Sequence, residues 1–216
     1  MSKLNTNSNA YIIFYSTILV VIVAFLLAFV SSSLKEKQEA NVALDLKKQI
    51  LCSLNIRGLD DAEAEAKYAE VVKEEKDVDG QKAYACLVDG EEIMVFGLKG
   101  MGLWGGISGY LAIHGEDEPT VYGAYFNHES ETAGLGAEIK DSQAWQELFQ
   151  GKKIFDENGN TAIAVVKKVE NPASEVDCVT GATLTSNGVS DMLRDGLAKG
   201  VKLLQKSAEE PKAEEE

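Results

Sequence analysis

The sequence is poor in the side chains that build metal centres. It has 3 cysteines, Cys52, Cys86 and Cys178, and 2 histidines, His114 and His128. No two cysteines form a C-x-x-C pair, and the set is too scattered to assemble a zinc site or an iron–sulfur cage. Such thiols ordinarily serve as small buried hydrophobes, and Cys86 lies in an apolar strand pattern that suits this. A domain outside the cytoplasm would leave room for one disulfide. Positive charge is scarce as well: 21 Lys and Arg face 35 Asp and Glu, for a net charge of −14. That balance excludes a nucleic-acid binder, which needs basic patches, and a charge-driven hold on anionic lipid. There is no internal repeat. The glycine-rich stretch around Trp104 is not followed directly by a helical pattern, so it is not a dinucleotide-binding fingerprint.

Charge is missing altogether from Tyr11 to Val30, where Ser16 and Thr17 are the only clearly polar residues. As a helix this run spans roughly 30 Å, the thickness of a bilayer's hydrocarbon core. Tyr11 and Tyr15 suit the headgroup level. A cleaved signal peptide would have a shorter apolar core, about 7–15 residues, behind a basic region. Here Lys3 is the sole basic side chain ahead of the run, and Ser31-Ser32-Ser33 is a weak cleavage site. The run therefore predicts a retained single-pass anchor. Lys35, Lys37, Lys47 and Lys48 follow it, a weak lean toward a cytoplasmic C-terminal domain by the positive-inside rule.

Residues 1–10 read as a polar tail and residues 31–81 as a helical linker region. In the linker, Val42, Leu46, Ile50 and Leu54 share a helical face with Gly58 as the stop, and a second helix is expected from Asp60 to Glu75, followed by a turn at 77–80. From residue 82 to 206 the pattern is that of a domain. Strands are expected at Ala83–Leu87 and Ile93–Leu98, joined by an Asp89-Gly90 hairpin turn, and at Gly109–His114 and Val121–Asn127, joined by a turn at 116–119. A short helix from Asp141 to Gln150 would turn Trp145, Leu148 and Phe149 inward, with Gly151 as its cap. A turn at 156–159 and a strand from Thr161 to Val169 follow. Residues 207–216 read as a disordered acidic tail. The fold class expected is α+β: one N-terminal transmembrane helix, then a mainly antiparallel sheet flanked by helices.

Three stretches carry chemistry. Lys99 to Tyr110 packs five glycines around Trp104, a backbone able to bend closely around something flat or another chain. The second is His128-Glu129-Ser130-Glu131-Thr132-Ala133-Gly134-Leu135-Gly136. The third is Asp177-Cys178-Val179-Thr180-Gly181-Ala182-Thr183-Leu184-Thr185-Ser186, after which Val189, Met192, Leu193, Leu197, Val201 and Leu204 recur at helical spacing. Thr185 or Ser186 can cap that helix, which puts Thr183 just ahead of an N-terminus where free N–H groups favour an anion. Taken alone, these ten residues also spell an ordinary Thr/Gly turn before a capped helix.

The third stretch resembles the flavinylation motif D-x-x-[ST]-G-A-T, with Asp177, Thr180, Gly181, Ala182 and Thr183 at every fixed position. Glu131 to Gly136 resembles an E-T-P-G-L-G loop with Ala133 in place of Pro, and Gly102-Leu103-Trp104 resembles a G-L-W segment. Together with the single anchor, these identify the chain as similar to the FMN-binding domain family, in the branch formed by the C subunits of Na+-translocating NADH:quinone oxidoreductases. The resemblance implies FMN bound covalently through its phosphoryl group to Thr183, not Thr185. Asp177, Thr180, Gly181 and Ala182 would surround the linkage. Leu103, Trp104 and Leu135 would line the flavin ring, and Glu131, Thr132, Gly134 and Gly136 would hydrogen-bond its edge or ribityl chain. It further implies a carrier passing single electrons between redox centres of a six-subunit inner-membrane complex that exports Na+, with other subunits and a flavin transferase as partners. The flavin domain would be periplasmic, against the charge lean. No metal is implied. The alternatives are the G subunit of the homologous Rnf electron-transport complex, which Gly102-Leu103-Trp104 disfavours, a membrane sensor with an FMN domain, which would carry more spans or an output domain, and a flavin-free anchored adaptor.

Overall fold

A computed structural model describes residues 8–78, 80–115 and 118–209. The chain divides into two units between Asp45 and Leu46. Helix α1 (Asn9–Ser53) begins in the first unit. Over residues 11–30 its apolar side chains point to every side, with Ile13, Phe14, Leu27 and Phe29 all exposed, so no stripe there is reserved for a protein core; only its last turn buries Ile50 and Leu51. It is long and apolar enough to cross a membrane. The helix runs on through the expected linker and ends earlier than the Gly58 stop. Asn55 takes the left-handed conformation (φ 62°), its N–H donates to the Cys52 carbonyl, and the Ile56 N–H donates to that of Leu51. This pair of bonds closes the last turn, and asparagine tolerates the conformation nearly as well as glycine.

Helix α2 (Asp61–Val71) starts from a reciprocal cap: Asp60 accepts from the Glu63 N–H at 2.8 Å, and Glu63 accepts from the Asp60 N–H at 3.0 Å. It stops at Val71, not Glu75. The rest of the expected helix is strand β1 (Val72–Val78), antiparallel to β2 (Gln81–Val88). Lys and Glu are good helix formers, and in β1 they serve instead as the charged border of a sheet edge, tied across to β2 by the ion pair of Lys82 with Glu75. The second unit begins at Leu46 and takes in the end of α1, α2 and β1 together with the sheet.

Strands β3 (Glu91–Met101), β4 (Gly106–His114) and β5 (Thr120–His128) complete an antiparallel meander of order β1-β2-β3-β4-β5. The β2–β3 hairpin turns on Asp89 and Gly90, both at positive φ, the signature of the expected Asp-Gly turn. Alternation sends Phe96 and Leu98 of β3 and Ile107 and Leu111 of β4 to one face. On β5, Val121 and Ala124 share that face although they are three apart, because the register shifts at this point and Tyr122 is the extra residue. The opposite face meets the end of α1: a Cβ on Gly123 would lie 2.4 Å from the Ser53 carbonyl oxygen.

After β5 the chain forms α3 (Glu138–Asp141) and α4 (Gln143–Glu147), separated at Ser142, whose hydroxyl caps α4. The single helix expected over 141–150 is thus two pieces. Trp145 and Phe149 are buried against Phe126, with ring centroids 5.1–5.6 Å apart, while Leu148, expected inward, is exposed. The strand expected over 161–169 is the short β6 (Ala164–Val166), parallel to β7 (Glu175–Asp177). Helix α5 (Thr183–Glu209) then crosses the core face, burying Val189, Met192, Leu193 and Leu197. It extends through Glu209, so the expected tail opens as the end of this helix. The side chains of Val201 and Leu204, residues 1–7 and 210–216, and parts of the turns expected at 77–80 and 116–119 lie outside the described residues.

Cys86 on β2 is buried, and burial pushes its thiol up to about 12. Cys52 and Cys178 are half-buried. Alkylation at pH 8 should therefore modify Cys52 and Cys178 well before Cys86, which reacts only once the chain is unfolded, because the thiolate is the nucleophile. Peptide mapping after a brief iodoacetamide pulse checks this order.

Candidate functional site

Three turns meet at the head of α5. The first joins β3 to β4, closed by the Gly102 N–H donating to the Gly105 carbonyl at 2.8 Å. Both main-chain polar groups of Trp104 are engaged: its N–H donates to Glu131 Oε1 at 2.8 Å, and its carbonyl accepts from the Ser130 hydroxyl at 3.0 Å. The indole is consequently turned outward and is 67% exposed, with Leu103 exposed beside it. The glycines here leave room for the side chains that hold the turn. A Cβ on Gly102 would lie 2.4 Å from Glu131 Oε1, and one on Gly105 would lie 2.2 Å from Ser130 Oγ.

Glu131 belongs to the second turn, after β5. Its N–H donates to His128 Nδ1 at 3.2 Å, and its carboxylate is buried. Oε2 accepts from the Thr185 hydroxyl at 2.6 Å. Burial alone would raise the carboxyl's pKa. The hydrogen bonds from Thr185 and from the backbone at Trp104, Leu103 and Gly105 outweigh it and hold the pKa below the usual 4.5. A depressed carboxylate pKa stabilises the fold fully above the unfolded value. That contribution drains away as pH falls from about 4.5 through the lower folded value, so acid loosens this contact.

The third turn is the motif itself. The Trp145 indole N–H donates to the Asp177 carbonyl at 2.8 Å, the Cys178 N–H to the Val166 carbonyl at 2.8 Å, and the Val179 N–H to Ser186 Oγ at 3.1 Å. Gly181 sits at φ 78°, a conformation that disfavours other residues, and a Cβ there would lie 2.9 Å from Leu135 Cδ2. That contact brings the second and third turns together. Thr183 is the first residue of α5 and is half-buried, not ahead of the helix as expected. Neither Thr185 nor Ser186 caps the helix. Their hydroxyls are spent on Glu131 and on the Val179 N–H, because both side chains are buried under the motif turn.

Of the residues singled out in the sequence, Trp104, Glu131, Gly136, Leu135, Gly181 and Thr183 are brought together in this way. Thr180 and Asp177 are exposed, Ala182 is packed into the core, and Asp177 is held by its main chain. Thr132 serves its own turn, its carbonyl accepting from the N–H groups of Leu135 and Ala137, and Gly134 provides the positive φ within it. Both carboxylate oxygens of Glu131 accept from protein donors, the Trp104 N–H and the Thr185 hydroxyl. Sequence reasoning missed Thr185, whose importance depends on Glu131, 54 residues away. It also missed Met101 and Leu184, exposed apolar side chains next to Gly102 and Thr183. A cleft of about 380 Å³ beside Gly159, Asn160 and Arg194 touches none of the three turns.

A family model described as FMN-binding domain matches residues 102–198, a span that opens at the Trp104 turn and contains all three turns. The C subunit of the Na+-translocating NADH-quinone reductase from Pseudomonas aeruginosa is 38% identical over 122 residues, covering 54% of this chain and 46% of that one. The chain thus spans about half the length of the curated relatives it matches. The crystal structure of the corresponding C subunit from Parabacteroides distasonis superimposes with a TM-score of 0.72 at 35% identity, covering 79% of this chain and 96% of that one. NqrC from Shewanella oneidensis shares the fold at a TM-score of 0.63 and 21% identity, covering 75% of this chain and 97% of that one. With the fold, the site turns and this coverage in agreement, the chain belongs to the NqrC family, the C subunits of Na+-translocating NADH-quinone reductases, and carries their FMN-binding domain.

Proposed function

We propose that the chain is a membrane-anchored electron carrier with FMN joined by a phosphoester to Thr183, working within a Na+-translocating NADH:quinone oxidoreductase. The observation that carries the reading is the position of Thr183. A half-buried hydroxyl closes an intact D-x-x-T-G-A-T motif at the first residue of a 27-residue helix. The leading N–H groups of α5 have no intrahelical acceptors and favour a phosphate there. The apolar side chains of Leu103, Trp104 and Leu135 are exposed on the two neighbouring turns, the donor-poor surface that a flavin ring requires. The residues present therefore fit the group.

When bound, FMN supplies one-electron chemistry. The chain supplies the nucleophilic hydroxyl, the apolar surface and the helix terminus. A permanent bond explains how a carrier holds its cofactor on an open surface: dissociation is removed, and the protein needs only to orient the ring. Attachment requires a flavin transferase with FAD as the donor: the Thr183 hydroxyl, losing its proton, would displace AMP at the FMN phosphorus, so the pyrophosphate bond breaks as the phosphoester forms. Electrons would pass between redox centres of the neighbouring subunits, and α1 would anchor the domain outside the cytoplasm, where the transferase acts.

The test is coexpression of the full chain with a flavin transferase. Denatured protein should carry the mass of one FMN group on the peptide containing Thr183, and protein made without the transferase should carry none. Flavin that washes off on denaturation would refute the linkage. Orientation is checked separately. Alkaline phosphatase fused after Lys206 should be active; an inactive fusion, together with a fluorescent green fluorescent protein fusion at the same place, would put the domain in the cytoplasm.

A further inference from the structure

We infer that Glu131 is the positioning residue of this site: one buried carboxylate locks the Trp104 turn to the first turn of α5 and so fixes the apolar platform relative to the Thr183 tether. The inference rests on the Thr183 reading for its consequence, and on geometry for the lock itself.

A tether fixes only the phosphate. The ribityl chain between phosphate and ring has several rotatable bonds, so the ring's position depends on the surface it rests on. That surface is built from two turns distant in sequence, with Leu103 and Trp104 on one and Leu135 on the other. Its shape persists only if both turns are rigid with respect to α5. Glu131 joins them. Oε1 accepts from the Trp104 N–H at 2.8 Å and Oε2 from the Thr185 hydroxyl at 2.6 Å, two residues beyond Thr183. Both bonds are charge-assisted and shielded from water, the setting in which such bonds are strong.

The carboxylate is also boxed in. A Cβ on Gly102 would lie 2.4 Å from Oε1, and one on Gly136 would lie 2.4 Å from Oε2. Glycine backbone thus closes on each oxygen, and the residue is 7% exposed. A residue placed to hydrogen-bond a cofactor directly would present a free oxygen to the surface. This one turns both inward. Gly102 and Gly136 are then explained by the lock as much as by any ligand.

The experiment uses the full-length chain in detergent, with Glu131→Ala, Glu131→Gln and, as a control for general loosening, Phe149→Ala in the aromatic core. In flavin-free protein, hydrogen–deuterium exchange of the segment 102–106 should speed up about tenfold in Glu131→Ala, the loss of one such bond, and not in Phe149→Ala at equal distance from its own melting point. Glu131→Gln keeps an acceptor for the Trp104 N–H and gains a donor for Thr185 Oγ1, so it should recover most of the protection. In flavin-loaded protein, Glu131→Ala should retain a full complement of covalent flavin but show lower flavin fluorescence anisotropy and a shifted midpoint potential, both largely rescued by Glu131→Gln. Unchanged exchange at 102–106 in Glu131→Ala would overturn the lock. Wild-type anisotropy and potential in loaded Glu131→Ala would overturn its role in placing the ring. Flavin missing from the wild type would refute the tether instead, and the exchange readout would still decide the lock.

Discussion

Thr183→Ala should abolish the fluorescent band on a denaturing gel while leaving the fold intact. Thr183 is half-buried at the first residue of α5, and none of the hydrogen bonds holding the motif turn comes from its side chain. Trading its hydroxyl for a methyl therefore removes the attachment atom and little else. Ser keeps that oxygen, so Thr183→Ser should retain flavin, in reduced amount where the lost methyl affects how the hydroxyl is presented. Thr185→Ala makes a sharper control than the sequence suggests. Its hydroxyl donates to Glu131 at 2.6 Å, so the variant should be flavinylated yet less stable, by about 1.5–3 kcal/mol for a bond to a charged acceptor. Thr180 is exposed, and Thr180→Val should leave stability unchanged. A fluorescent Thr183→Ala band, or a flavin mapped to Thr180 or Thr185, would end the phosphoester reading.

The parts of this molecule that were legible in advance are those governed by local rules. The long apolar helix follows from twenty uncharged residues in a row, and the β2–β3 hairpin from Asp89-Gly90, whose positive φ values a two-residue turn demands. The candidate site was legible because a short motif fixes residue types in a fixed order. What escaped was set by distant partners. Val72 to Val78 has the composition of a helix surface, and only the ladder offered by β2 makes it a strand. The helix end at Asn55 was hidden because Gly58 is the more familiar signal, although asparagine meets the same requirement three residues earlier. The resemblance makes Glu131 a flavin contact, but its hydrogen bonds to Trp104 and Thr185, 27 and 54 residues away, could not be read from the sequence. The same contacts account for the glycines. The sequence reads Gly102 as close backbone approach and, by resemblance, Gly136 as a flavin contact; in the structure each also leaves room for the Glu131 carboxylate.

Gly188→Ala should be among the most damaging single-methyl additions to the domain. Position 188 is inside α5, where alanine is the better helix former by about 0.8–1.0 kcal/mol, so local propensity predicts a gain. Packing predicts the reverse and should win. A Cβ at 188 would lie 2.2 Å from the carbonyl oxygen of Met101 and 3.3 Å from the Cα of Gly102. Both atoms are main chain, so neither can swing aside as a side chain would. Either β3 or α5 must move, at the point where β3 gives way to the Trp104 turn. Overpacking of this kind costs about 1–3 kcal/mol and occasionally more. For a unit of this size, a net loss of about 2 kcal/mol lowers the melting temperature by roughly 4–8 °C. Gly196→Ala provides the contrast. It sits on the same helix, but its Cβ would meet Leu98 Cδ2 at 2.4 Å, the far end of a flexible side chain that can rotate. It should cost clearly less. Because Gly188 abuts the Trp104 turn, its substitution should also raise exchange at residues 102–106, whereas Gly196→Ala should leave that turn protected. Thermal melts of the two variants in detergent, followed through the buried Trp145, decide the matter; equal losses would mean that the helix and strand are not held as closely as the Met101 contact requires.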